Sequence, residues 1–233
     1  MNKENFIKEL LKININIDND TLTKLDQYLE FLLEYNTHTN LTSIKNKEDV
    51  YLKHFYDCLT LTKLVNFKKE KVLDIGSGAG FPGLVLAIVY PNLKITLLDS
   101  NNKKIEFLNK CIELLKLKNV NTIYDRSENY TKKVCEEYDY ITFRAVAEVR
   151  ILTEIAINAL KVNGSLLFMK ANINNELENS QNTFKVLNCK IKKLIEFELP
   201  YEAGHRTLIE VTKISHTDKK YPREYDKIKK KPL

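Results

Sequence analysis

Apolar positions follow two rhythms along this 233-residue chain. Up to about residue 68 they recur at helical spacing. Leu22, Leu25, Leu29, Leu32 and Leu33 make one apolar face, and Asp20 or Thr21 is placed to cap that helix. The pattern ends near Asn36, and residues 37–42 are polar and turn-like. A second helical stretch runs from Val50 to Leu64, with Leu52, Phe55, Tyr56, Leu59 and Leu64 near one stripe. Residues 66–70 form the junction to the second regime, where short apolar runs alternate with helical stretches.

Those runs predict strands at Val72–Ile75, Lys94–Leu98, Val120–Tyr124, Tyr138–Phe143 and Ser165–Met169, the last after punctuation by Gly164. Helices are expected between them: Leu84–Val89, ended by Pro91; a stretch opening at Asn101 and running through Ile105, Leu108, Ile112 and Leu115; and Leu152–Leu160. A helical stretch near 176–187 then precedes two consecutive strands, around 189–199 and 206–213. Alternation of this kind implies an α/β fold with a mostly parallel seven-stranded sheet wrapped by helices. The final strand pair implies one antiparallel edge. The expected division is a helical extension over 1–68, the α/β domain over 69–213 and a tail over 214–233.

The turn after the first strand stands out. Gly76, Gly78, Gly80 and Gly83 are four of only six glycines in the chain. Such a loop lets backbone N–H groups approach a ligand closely. Pro82 suits the first turn of the next helix. No Lys-Ser/Thr follows Gly83, so the segment is not a P-loop, and G-x-G-x-G fits the dinucleotide fingerprint poorly. The run D-x-G-x-G-x-G resembles motif I of the S-adenosylmethionine (SAM) methyltransferases. Alone, it is matched evenly by a glycine turn with only a folding role.

Later strand ends shift that balance. Asp99 lies at the end of the second strand, 23 residues after Gly76, where nucleotide-binding α/β folds place the acid that accepts from ribose hydroxyls. Its competing role is a cap for the following helix. Asp125-Arg126-Ser127-Glu128 follows the third strand and meets the same carboxyl edge, where polar groups can read an adenine. Arg144 ends the fourth strand, and a charge there is costly unless it acts at that edge. The alternative is a surface cap on the next helix.

Composition removes several classes. Apolar residues make up 43% of the chain, no apolar run is long enough to span a bilayer, and the charged N-terminus is no signal peptide. Four scattered cysteines and four scattered histidines speak for reduced packing residues and against a zinc site. The net charge is +6, and residues 213–233 carry eight Lys and Arg against three acids, a net +5. A basic end fits a polyanionic partner such as RNA. It equally fits a solvated tail.

Taken together, the motifs resemble the RsmG (GidB) family of bacterial 16S rRNA guanine-N7 methyltransferases over nearly the whole chain. The matching pieces are N-L-T (40–42), H-F-Y-D (54–57), D-I-G-S-G-A-G-F-P-G (74–83), L-L-D-S (97–100), R-S-E (126–128), F-R-A-V-A (143–147), M-K-A (169–171), H-R-T-L (205–208) and the terminal Y-P-R (221–223) with K-K-P-L (230–233). Two departures are Ser127, where the family often has a small apolar residue, and Ala171, where Gly is usual.

The resemblance implies a Rossmann-like SAM-dependent methyltransferase. It implies cofactor contacts at Gly76, Phe81, Ser127, Glu128 and Arg144, besides Gly78 from the loop and Asp99 near the ribose. Arg126, Lys170 and Arg206 are the basic groups expected near RNA. The implied substrate is N7 of a guanine in the 530 loop of 16S rRNA, met by a cytoplasmic monomer with no membrane and no metal. Guanine N7 carries no proton to remove, so the reaction asks for proximity and alignment, and no catalytic base is expected. Two alternatives stay open: a SAM-dependent enzyme acting on a small molecule, and an RNA-binding module that keeps SAM without catalysis.

Overall fold

The computed structural model describes residues Met1–Leu233. Helices α1 (Lys3–Lys12) and α2 (Asn19–Thr39) open the chain. The cap of α2 is Asp18, which accepts from the Thr21 N–H at 2.8 Å, two residues before the earlier of the two expected positions. The helix also outruns its apolar pattern, and Asn40 ends it in the left-handed conformation.

The second helical stretch is not one regular helix. It passes through α3 (Lys47–Asp49), a π-helical segment (Val50–Tyr56), α4 (Asp57–Leu59) and a 3₁₀ turn (Thr60–Lys63). Irregular turns of this kind recur at functional sites.

The sheet strands are β1 (Lys71–Ile75), β2 (Lys94–Asp99), β3 (Val120–Tyr124), β4 (Tyr138–Arg144), β5 (Leu160–Lys170), β6 (Cys189–Glu198) and β7 (His205–Lys213). Between and after them come α5 (Gly83–Val89), α6 (Asn102–Leu114), α7 (Ser127–Lys133), α8 (Val149–Ala156), α9 (Glu176–Asn179), α10 (Gln181–Val186) and, near the end, α11 (Tyr225–Lys230). The seven strands run in the order β3-β2-β1-β4-β5-β7-β6. Strands β1 to β5 pair in parallel, and β7 pairs antiparallel to both β5 and β6.

Two expectations shift. Pro82 sits just before α5, whose first residue is Gly83. Gly164 lies inside β5, which starts at Leu160; a Cβ there would stand 2.8 Å from the Asp139 carbonyl oxygen. Gly164 therefore permits close strand approach beside the register shift at Tyr138/Tyr140.

Side chains alternate across the sheet into two cores. On one face α1, α2 and the Val50–Leu64 stretch share a continuous core with α5 and α6, through Phe6, Tyr28, Phe55, Leu84 and Phe107. On the other, α8 and α10 cover Leu73, Phe143, Phe168 and Ile209. Tyr28 stacks on Phe55 and lies against Phe81, so α2 reaches the glycine loop through aromatic contacts. Such pairs contribute roughly 0.5–1.5 kcal/mol beyond their buried area.

The basic end of the chain is docked on the second face. Tyr221 and Leu233 pack against that core, Ile228 is fully buried, and Thr183 donates to the Leu233 carbonyl at 2.9 Å. Two of the terminal cations are structural. Lys213, 1% exposed, donates to the carbonyls of Ile157 and Leu160 and pairs with Glu136 at 3.1 Å. Arg223 grips Glu154, itself 1% exposed, with Nε and Nη2 each at 2.6 Å from a carboxylate oxygen. Arg223→Ala strands that carboxylate in the core. We expect a loss of about 2–3 kcal/mol in urea unfolding, whereas a loss near zero would mean the terminal segment is only loosely laid on α8.

Candidate functional site

The glycine loop is built around two carboxylates. Asp74, fully buried near the end of β1, accepts from the Gly83 N–H at 2.9 Å and the Thr142 hydroxyl at 2.8 Å. It thereby joins the start of α5 to the end of β1, and the loop between them has to close. Gly83 leaves room for this: a Cβ there would lie 2.4 Å from Leu97 Cδ2 and 2.8 Å from the Asp74 oxygen.

Asp99 holds the other side. Its Oδ2 accepts from the Gly78 N–H and its Oδ1 from the Asn101 N–H, both at 2.9 Å. The helix cap of α6 is Asn101 and not Asp99, so the competing role for Asp99 is filled by its neighbour. From α2, the Tyr28 hydroxyl donates to the Ala79 carbonyl.

The loop's N–H groups are mostly spent inside the protein. Those of Gly76 and Ser77 go to the Leu98 carbonyl, at 2.8 and 3.1 Å, and Gly78 goes to Asp99. Only the Ala79 N–H, within Gly76–Ala79, makes no hydrogen bond in the chain. What Gly78 opens is space. Gly78, at φ +58°, would put a Cβ into a void whose nearest atom is the Gly76 oxygen at 3.8 Å. That void belongs to a cleft of about 250 Å³ walled by Gly76–Ala79, Phe81, Arg144 and, from the helical extension, Thr42 and His54.

The wall opposite the loop comes from the π-helical segment. His54 stacks on Phe81 with ring centroids 4.1 Å apart. Its Nδ1 lies 3.2 Å from both terminal nitrogens of Arg144, and its Nε2 lies 2.8 Å from Thr42 Oγ1. A guanidinium only donates, so Nδ1 accepts and Nε2–H donates to Thr42. The Lys53 carbonyl, 3.1 Å from Nδ1, takes its proton from Arg144 Nη2 at 2.6 Å. Burial, aided by the Arg144 charge, pushes His54 down to about 3, so it is neutral at physiological pH. Asn36 fixes Thr42 by accepting from its N–H and donating to its carbonyl.

Arg144 also reaches Asp57, whose Oδ2 lies 3.1 Å from Nη2; Arg206 Nε lies 3.0 Å from Oδ1 of the same carboxylate. These three residues, with Ala145, Met169, Lys170 and Ala171, line a second cleft of about 280 Å³ over the end of β5. Arg144 and Ala145 line both clefts.

The expected site residues thus spread along the carboxyl edge in strand order. Ser127 and Glu128 follow β3, Asp99 ends β2, Gly76, Gly78 and Phe81 follow β1, and Arg144 ends β4. Ser127 and Glu128 bond to each other at 3.2 Å and lie outside the first cleft's lining. Of the three basic residues, Lys170 and Arg206 meet at the second cleft. Arg126 stands at the far end of the edge, exposed, with Glu128 3.6 Å away. Lys170 is heavily engaged, donating to the Ala147 carbonyl at 2.7 Å and pairing with Glu176 at 2.8 Å.

Sequence reasoning gave no roles to Tyr28, His54, Asp57 or Asp74. The motif H-F-Y-D marked two of them, but nothing local showed that a π turn would aim both at Arg144. Lys104, in the first turn of α6, also lines the first cleft and approaches Asp99 at 3.8 Å.

A family model described as GidB, rRNA small subunit methyltransferase G, matches residues 21–203. The ribosomal RNA small subunit methyltransferase G of Fusobacterium nucleatum subsp. nucleatum is 43% identical over 231 residues, covering 99% of this chain and 100% of that protein. The protein of the same name from Bacillus licheniformis is 40% identical over 237 residues, covering 100% and 99%. Among solved structures, M. jannaschii TYW2 in complex with AdoMet aligns with a TM-score of 0.58 at 16% identity, over 74% of this chain and 80% of that one. A SAM-dependent methyltransferase from Aquifex aeolicus aligns at 0.57 and 14%, over 76% and 98%. These two likenesses concern the fold.

The clamp on the loop has a pH signature. Burial raises the Asp74 carboxyl to about 6, against the bonds from Gly83 and Thr142 and the Arg144 charge, which pull it down. The folded state therefore holds this proton more tightly than the unfolded chain, where the group titrates near ~3.9. The stability it contributes is complete below about pH 4 and is lost as pH rises through about 6. Asp74→Asn removes that dependence while keeping an acceptor for Gly83. The stability of wild type minus Asp74→Asn should fall by roughly 1–3 kcal/mol between pH 4 and 6.5 and then level off. Urea unfolding across that range reads it, and a flat or rising difference would contradict the buried clamp.

Proposed function

We propose that this chain, which belongs to the rRNA small subunit methyltransferase G (GidB) family and is a SAM-dependent 16S rRNA methyltransferase, methylates N7 of a guanine in the small subunit. In this reading SAM lies against the glycine loop, and the base enters through the cleft over β5. The observation that carries the reading is the shared wall. A cleft opened by glycines and a cleft edged by three cations adjoin at Arg144 and Ala145.

The residues of the first cleft and of the strand ends beside it fit the cofactor. Gly78 leaves backbone bare toward the void, Ala79 keeps a free N–H, and each Asp99 oxygen retains a lone pair for a ribose hydroxyl. Phe81 offers an apolar face, and Ser127 and Glu128 stand at the next strand end for the adenine. SAM supplies a methyl group on a positively charged sulfur. The protein's part is to hold donor and base in line and to keep bulk water out. Neutral His54 suits such a site, because it adds no charge beside a cation. N7 needs no base, and Asp57 is already occupied by two arginines.

Lys170 and Arg206 are placed to meet phosphate or base in the second cleft, while Arg126 faces RNA from the other end of the edge. The docked terminal segment leaves Lys227, Lys229, Lys230 and Lys231 as outer charges for the ribosomal surface. The division into residues 1–68, 69–213 and 214–233 goes with this reading, as does a monomer working in the cytoplasm. No helix is long and apolar enough to cross a membrane.

Incubation with labelled SAM and small subunits lacking the modification tests the function. We expect one methyl per subunit, mapped to a guanine N7 by chemical cleavage at that base. Label at another atom would overturn the N7 assignment, and label only in small molecules would favour the small-molecule alternative. Asp99→Ala separates binding from turnover. It should weaken SAM and S-adenosylhomocysteine in parallel, by about ten- to a hundredfold, the loss expected for hydrogen bonds to a charged group. Calorimetry with both ligands reads this, and unchanged affinities with lost turnover would remove Asp99 from the cofactor site.

A further inference from the structure

We propose that Asp57 is a positioning residue that tethers Arg144 and Arg206, so that Arg206 meets the substrate with one nitrogen and leaves guanine N7 free to react. The proposal rests on the placement of the base in the second cleft.

Asp57 is 2% exposed, deeper than the side chains of Arg144 and Arg206 at 17% and 16%. One carboxylate oxygen serves each arginine, so the three groups form a single unit in the wall of the second cleft, which reaches the first through Arg144. Arg144 is committed almost completely, to the Lys53 carbonyl, His54, Asp57 and Cys58. Arg206 is committed through two of its three nitrogens. Nε goes to Asp57 at 3.0 Å, and Nη1 goes to its neighbour's carbonyl, that of His205, at 2.7 Å. Nη2 makes no hydrogen bond within the chain.

The distinction matters because of what guanine offers. An unrestrained guanidinium takes the O6 and N7 acceptors of guanine together, as a two-pronged contact. That contact uses the N7 lone pair, which is the nucleophile of this reaction. A guanidinium with Nε and Nη1 both engaged has one nitrogen left for the cleft, enough to hold O6 or a phosphate oxygen without masking N7. The carboxylate also cancels one of two positive charges beside a base that gains positive charge on methylation. Releasing both arginines would therefore strengthen RNA binding while slowing methyl transfer.

Asp57→Ala, which removes both acceptors, tests this against wild type. We expect kcat on small-subunit RNA to fall at least tenfold while KM for RNA stays level or drops. The salt dependence of RNA binding should steepen, by up to about one unit of slope for the cation set free. In an Arg206→Ala background the same substitution should cost kcat much less, because the arginine it keeps off N7 is gone and only Arg144 is left to release. An unchanged kcat, a raised KM with full kcat, or full additivity with Arg206→Ala would each overturn the proposal.

If Asp57→Ala does not fold, judged by circular dichroism, Arg206→Lys serves in its place. It keeps the charge and the pairing to Asp57 but loses the planar fork. We expect kcat again to fall at least tenfold without a rise in KM, and full activity of Arg206→Lys would overturn the role. If wild type methylates nothing, the proposed function fails. The binding slopes, which need no turnover, still report whether Asp57 restrains the arginines.

Discussion

The Asp74 carboxylate, buried at the carboxyl end of β1, ties the first N–H of α5 and the hydroxyl of Thr142 on β4 to one point. Everything at the site is referred to that point. The loop from Gly76 to Pro82 must return to within hydrogen-bond distance of the strand it left. The glycines follow from that closure, three at positive φ and Gly83 in a space too tight for a side chain. Asp99 and Tyr28 then fix the loop from β2 and from α2. The burial that raises the Asp74 pKa is a cost the fold accepts for a rigid turn, since a carboxylate receiving two donors sets geometry more strictly than apolar contact would.

The helical extension belongs to the site. Its π-helical segment aims the Lys53 carbonyl and His54 at the end of β4, the first residue of α4 adds Asp57, and Arg144 answers all three. Arg144 thereby stands between the two clefts with its conformation set by residues from outside the sheet. Phe81, His54 and Tyr28 pass contact from the loop to α2 by ring packing. In the proposed reading, cofactor and base lie side by side in the two clefts, with Arg144 in the wall of both.

Much of this was legible along the chain. The strands, their order of alternation, the antiparallel edge and the positions of Gly76, Asp99 and Arg144 at strand ends follow from local patterns of apolar residues and glycine. What was not legible depends on distance. Arg223 looked like one more cation in a basic tail, yet Glu154, 69 residues earlier, takes it into the core. Lys213 is likewise buried by carbonyls from another segment. Asp74 read as a member of an apolar strand, because nothing beside it showed that Gly83 and Thr142 would converge there. The π turn has no periodic signature, so His54 and Asp57 looked like two polar residues on an ordinary helix. Gly164 read as punctuation because a close strand approach needs the partner strand to be visible.

The central claim is that the clamped glycine loop and the end of β2 form the platform for the cofactor. Hydrogen exchange of the intact protein, with and without S-adenosylhomocysteine, tests it most directly. Slowed exchange is expected in peptides covering Gly76–Phe81 and Asp99–Asn101, with the C-terminal segment from residue 214 unchanged. Protection confined to Met169–Ala171 and His205–Leu208, or absent from the glycine loop, would contradict it.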